Sequence, residues 1–246
     1  MALTDPLVTR LSNGVTNVSD TNILASFGQL DPTKYHIFFD DFDNRTITDG
    51  TTAQWTNTLA STGTAAVAAA NNGTLVITNA NTDEDYNQTQ ATTATWLPSV
   101  SKKFWMKARL KVSVAATTDC FIGLSVIDTT ILAASALSST DAIGFFKAAT
   151  ATSWTAYIRK DASTGSTSTS SLGTVSNDTF TTIGMYYDGS GTAYLMVDDT
   201  VVDTIDSISS TYWPDAQMSP SIAFGQEGTG GATVGTVDYL FIAAER

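Results

Sequence analysis

The sequence predicts an all-β protein built as an antiparallel two-sheet sandwich. Three observations point there. Apolar residues alternate with polar ones in short runs from Tyr35 to the end, and turn formers bound each run. Charged residues make up only 15% of the chain, well below the quarter usual in globular proteins. Thr, Ser, Ala, Asn and Gly fill the difference, which suits strands with neutral outer faces and gives little support to long helices. At 246 residues the chain can bury a full core in one domain.

Residues 1–34 stand apart. Leu3, Leu7, Val8, Leu11, Val15, Val18, Ile23, Leu24, Phe27 and Leu30 are scattered among turn formers without sustained alternation. The segment is too apolar for a plain linker and too irregular for a strand pair. It is expected to be an extended arm, lying either on another surface or on its own domain. The sandwich is expected over 35–246.

The strands follow in order. Tyr35–Phe39 runs into the acidic Asp40–Asn44, and Gly73–Asn79 follows an Asn-Asn-Gly turn. Phe104–Val114 is the clearest: Phe104, Met106, Ala108, Leu110, Val112 and Val114 point one way. Trp105, Lys107, Arg109, Lys111 and Ser113 point the other, as in a strand with one wet face. Cys120–Ile127 and Ala142–Lys147 flank Thr129–Thr140, which reads as a short helix or a long loop. Ser153–Lys160 is a strand, and Asp161–Ser171 is a polar, low-complexity connection. Phe180–Ile205 reads as a three-strand meander. Asp188-Gly189-Ser190-Gly191 supplies the positive-φ residues of its first turn, and Asp198-Asp199 makes the second. Pro220–Gln226 and Val234–Ala243 close the sequence. No fixed-period repeat appears, which argues against a propeller or solenoid.

Charge and cysteine narrow the function. A net charge of −12 and a pI near 4.2 argue against nucleic acid and against anionic membranes, both of which need clustered Lys and Arg. Cys120 is the only cysteine, so no internal disulfide can form; it sits in an apolar run and reads as a small buried hydrophobe. His36 is the only histidine, and nothing in the sequence pairs it with Cys120. The first residues show neither a basic n-region nor a continuous apolar h-region, and no apolar run is long enough to span a bilayer as a helix. Synthesis in a cytoplasm is expected, with the protein staying there or leaving as part of something larger.

The C-terminal half resembles the concanavalin A-like lectin and glucanase sandwich, particularly its laminin G-like members. The residues that carry the resemblance are Ile183–Gly189, Ala193–Asp198 and Thr200–Ile205 as a meander, Phe224-Gly225 followed by Val237-Asp238-Tyr239, and Asp40–Asp43 after the first strand. Their order, more than any single motif, is the signal. The resemblance implies a two-sheet jelly roll over most of residues 35–246. Fold alone does not give function. The glucanase branch carries two carboxylates on one strand in a Glu-x-Asp-x-x-Glu pattern, as retaining hydrolysis needs two acids about 5 Å apart. That pattern is absent. Asp203 with Asp206, and Asp83-Glu84-Asp85, read as a solvated face and a turn. No enzyme activity and no catalytic residue are expected.

A lectin-type site needs an aromatic platform, and Trp55, Trp96, Trp105, Trp154, Tyr157, Tyr212 and Trp213 are the aromatics to consider. Trp105 and Trp213 are expected to be partly exposed, as glycan or interface residues. Asp40, Asp41, Asp43 and Asp238 are the oxygen donors a calcium ion would use. Their spacing matches no loop motif, so a surface acid cluster is the better reading and no cofactor is expected.

The style of the sequence, with its low charge, irregular arm and lectin-like sandwich lacking a catalytic strand, resembles virion proteins of tailed bacteriophages. That resemblance implies a capsid decoration (cement) protein or a head or tail fibre module, with the decoration protein favoured, made in the host cytoplasm and carried on the capsid surface. It would bind the major capsid protein through Leu7, Leu11, Ile23, Leu24 and Phe27, often as a symmetric oligomer, frequently a trimer. The alternative is a carbohydrate-binding module for surface glycans, with or without calcium.

Overall fold

The computed structural model describes residues 32–43, 54–60, 62–68, 73–163, 166–167 and 171–246, and every regular element among them is a strand. The first sheet runs β15 (Thr200–Ile205), β14 (Ala193–Val197), β13 (Thr181–Tyr187), β6 (Phe104–Val112), β17 (Val234–Glu245), β4 (Thr74–Thr78), β3 (Thr64–Ala68). β1 (Tyr35–Asp40) pairs with the later half of β17. The second sheet runs β12 (Ser166–Thr167), β11 (Thr155–Arg159), β10 (Ala142–Lys147), β7 (Thr118–Ser125), β16 (Ser219–Gln226), β5 (Asp85–Ala91), β2 (Trp55–Thr58). A small hairpin, β8 (Leu132–Ala133) and β9 (Ala136–Leu137), completes the set. All pairs are antiparallel, so the expected two-sheet jelly roll is what the chain forms.

The core lies between the sheets and follows from side-chain alternation. Phe104, Met106 and Leu110 of β6 and Leu240 and Ile242 of β17 meet Ile122 and Leu124 of β7 and Ile222 and Phe224 of β16. Each side chain of this size contributes about 2 kcal/mol when fully buried, which makes this layer the main stabilising element. Cys120 belongs to it, fully buried.

Several sequence readings need correction. Trp105 was expected on a wet face but is only 2% exposed. The alternation along β6 is as expected; its neighbours across the sheet decide the difference. Tyr194, Tyr186, Trp105, Ala243 and Ile37 are successive cross-strand partners over β14, β13, β6, β17 and β1. They make an apolar row, with Trp105 edge-on to Phe241 at 4.8 Å. Thr129–Thr140 contains neither helix nor plain loop but the β8–β9 hairpin. Asp85, read as part of a turn, opens β5. The anchors Leu7, Leu11, Ile23, Leu24 and Phe27 lie outside the described residues.

Candidate functional site

The second sheet has an outer face, and the chain itself fills it. Along β7, β16 and β10 the residues alternating with the core set are Phe121, Ala223, Ala142 and Phe146. Ile131, Leu132 and Leu137 of the β8–β9 segment pack onto them. The hairpin turns through Ala134 and Ser135, both at positive φ (47° and 55°). Two-residue hairpin turns demand that geometry, and a residue with a Cβ pays about 1–2 kcal/mol for it. Burying three branched apolar side chains, each contributing about 2 kcal/mol, outweighs that strain and keeps the hairpin down.

Amide side chains of β5 fix its register. Gln88 accepts from the Ile131 N–H at 2.9 Å and donates to the Asp128 carbonyl. Gln90 accepts from the Asp128 N–H at 3.1 Å and donates to Ser221 Oγ at 2.8 Å and the Val126 carbonyl at 3.0 Å. At the far end, Arg159 donates to the Leu137 carbonyl. The sequence carried a signal for this in the period-two Tyr86, Gln88, Gln90. The signal is weak because strands with polar residues on a buried face look like loops.

At the hairpin tip the network ends on two acids. The Ser135 N–H donates to Tyr86 Oη at 3.1 Å, and the Tyr86 hydroxyl donates to Glu227. Tyr86 lies over Gly225, where a Cβ would stand 2.4 Å from its ring. Glu227 in turn lies near enough to Asp119 to shift its titration. Asp119 is fully buried; its Oδ1 accepts from the Ala149 N–H, while its Oδ2 meets no ordinary donor. Burial first, then Glu227, pushes Asp119 up to about 7, against the pull of the Ala149 amide and of Lys147. Lys147 is itself buried, its ammonium among the carbonyls of Ala115, Thr118, Ala148 and Ala149, and burial brings it down to about 8.

This acid pair is the constellation that a hydrolase would require, but its arrangement differs from one. Asp119 is fully buried, whereas a retaining glycosidase holds two carboxyls about 5 Å apart flanking the scissile bond. Asp119 lies on β7, and Glu227 is the residue just after β16. Asp203 and Asp206 stay apart from them on the meander, where Asp206 accepts from the Thr192 and Thr204 hydroxyls.

Two shallow cavities lie at one end of the sandwich, on either side of Leu97, which is 54% exposed. One, about 350 Å³, is lined by Pro98, Trp213, Pro214, Lys160 and Asp215. The other, about 400 Å³, is lined by His36, Trp96, Lys102 and Arg246. Trp213 was expected to be partly exposed but is only 4% so. Its indole N–H donates to the Pro98 carbonyl at 2.6 Å and its ring packs on Tyr187 at 4.5 Å, so only an edge reaches the cavity. Of the other aromatics, Trp55, Trp96 and Trp154 are buried, Tyr157 sits edge-on to Phe146, and Tyr212 is half-buried.

The calcium donors are not gathered. Asp40 accepts from the Phe42 N–H at 2.8 Å and the Trp55 indole at 3.2 Å, and Asp238 pairs with Arg109 at 2.6 Å. Among the described residues no three His, Cys, Asp or Glu side chains stand where they could hold a metal ion.

Comparison with known proteins places the fold. No family model matches the sequence, and no curated protein matches it at a significant level. Solved structures do match. An endo-1,3-β-glucanase from Streptomyces sioyaensis is 16% identical with a TM-score of 0.58, covering 87% of this chain and 98% of its own. Peanut lectin is 12% identical with a TM-score of 0.55, covering 86% and 97%. A protein of unknown function from Shewanella oneidensis MR-1 is 14% identical with a TM-score of 0.58, covering 86% and 87%. The chain therefore has the concanavalin A-like sandwich, a frame shared by lectins and glucanases.

Proposed function

We propose that this chain is a non-enzymatic structural protein of a virion, a capsid decoration protein of a tailed bacteriophage that docks on the major capsid protein and stabilises the head. The observation that carries the non-enzymatic part is the filled outer face of the second sheet. The buried acid on β7, Asp119, is out of reach of solvent. The virion part rests on the sequence: few charges, neutral polar residues in abundance, and an apolar arm ahead of the sandwich. In this reading the protein is made in the host cytoplasm, joins the capsid surface as a symmetric oligomer, and uses Leu7, Leu11, Ile23, Leu24 and Phe27 as anchors.

The test is attachment to undecorated particles, with the full chain compared with a form lacking residues 1–34. The expected result is that the full chain co-sediments with particles and the shortened form does not, while its circular dichroism stays that of a β-sandwich. Failure of the full chain to bind, or undiminished binding by the shortened form, overturns the reading.

Glycan adhesion is the second reading, favoured by the cavity of about 350 Å³ beside Trp213 and Pro98. It predicts binding on a glycan array that survives loss of residues 1–34 and weakens in Lys160→Ala.

A further inference from the structure

We propose that residues 1–31 fold back onto the outer face of the first sheet of their own chain, where Ile23, Leu24, Phe27 and Leu30 cover the row centred on Trp105. The docking concerns the free chain and does not rest on the capsid reading above.

The face needs a cover. Ile37, Ala243, Trp105, Tyr186 and Tyr194 stand side by side across five strands, and Phe241 and Met196 widen the row. They alternate with Met106, Tyr187, Leu195 and Ile242 of the same strands, which fill the core, so they point away from it. Side chains on one sheet face stand with their ends outward; they shield one another's flanks but not their tips. Yet Phe241 is 1% exposed and Tyr186 4%, close to Trp105 at 2%. The described residues that pack on this cluster, Tyr35, Ile37 and Tyr194, belong to the same sheet. The β8–β9 hairpin lies on the other one. This burial exists within a single chain, so a second copy is not what covers the row. The cover is chain that lies outside the described residues.

Sequence and position single out residues 1–31. The next longest such stretch, 44–53, carries one large apolar residue, Ile47, and leads to β2 in the second sheet. Residues 23–30 carry four: Ile23, Leu24, Phe27 and Leu30. The arm also arrives in the right place. The Arg246 N–H donates to the Lys34 carbonyl at 2.8 Å, which pins the chain beside the end of β17, and the next residue, Tyr35, packs on the cluster. From Ile37 to Tyr194 is four strand spacings, about 19 Å, which an extended chain covers in about six residues. Charge edges the row, with Lys107 paired to Asp199 at 2.5 Å and Arg109 to Asp238 at 2.6 Å. Phe39 on β1 and Val201 on β15 stay exposed, so the cover lies over the middle of the face. Docked this way, Ile23, Leu24 and Phe27 are withheld from other surfaces. The arm is a self-contact that a partner must displace, and displacing it bares Trp105, Tyr186 and Phe241.

Photo-cross-linking on the full chain tests this, with benzoylphenylalanine in place of Tyr194 at the rim of the row and no particles present. The expected result is a cross-link within the monomer to a peptide from residues 1–31. A cross-link to 44–53 or to a second copy instead, or none to 1–31, overturns the proposal. The second measurement is tryptophan fluorescence of the full chain carrying Leu24→Asp and Phe27→Asp together. All five tryptophans are buried, so emission should shift to the red and become open to acrylamide quenching. Both changes should vanish when Trp105→Phe is added. Unchanged quenching in the double variant overturns the proposal, and so does a change that persists without Trp105. Because particles are absent, either failure is distinct from a failure to attach to capsids.

Discussion

His36 lies flat on Trp96, with ring centroids 3.9 Å apart and planes 8° from parallel. The stack takes the imidazole out of water, and that burial, helped by the charge of Arg246, holds its value below the ordinary 6.5. The contribution of the neutral ring to stability is therefore complete above pH 6.5 and is lost as pH falls below it. Since His36 is the only histidine, one imidazole resonance reports the titration by NMR. Its midpoint is expected below 6.5 and should move toward 6.5 in Trp96→Leu. A native midpoint at or above 6.5 would contradict the stack.

Lys147 anchors the end of β10 through its ammonium. Replacement by Met keeps the length of the side chain and removes the donor, leaving the carbonyls of Ala115, Thr118, Ala148 and Ala149 without it. The expected loss is about 3 kcal/mol of unfolding free energy, read from urea denaturation. A change below about 1 kcal/mol would mean that the ammonium behaves as an ordinary surface charge.

Gln88 ties β5 to the segment that leads into the β8–β9 hairpin. Gln88→Ala strands the Ile131 N–H and the Asp128 carbonyl, at a cost of about 2 kcal/mol. The loss should be local: limited proteolysis is expected to cut faster within 129–138 than anywhere in the two sheets.

Cys120 is fully buried in the core, and that burial pushes its thiol well above the ordinary range. The native protein should therefore resist thiol reagents for hours at pH 8 and react fully once unfolded in urea. Rapid labelling without unfolding would show that β7 opens locally.

Much of the sandwich was legible in the sequence because alternation against a single core leaves a period of two. The sequence segment Ala142–Lys147 coincides with β10, and the positive φ of Asp198 and Asp199 makes the turn that their adjacency suggested. The parts that escaped are those whose partners are remote. Asp85–Ala91 hides its strand character because Gln88 and Gln90 bury their amides against a segment some forty residues away. Trp105 shares its face with Lys107 and Arg109, and only the register with Tyr186 and Ala243 shows that its own surroundings are apolar. The closeness of Asp119 to Glu227 depends on β7 lying beside β16, which no local pattern encodes.

The central strands arrive late. β16 stands between β7 and β5, and β17 joins β6 to β4 and to β1. Until the ribosome has delivered residues 219–245, the first sheet is three separate pieces and the second two, with open edges and no seam between them. Closure is thus a long-range event, of the kind that slows folding and exposes nascent chains to aggregation. Synthesis of this protein should lean on chaperones that shield unpaired strands until its last stretch is free.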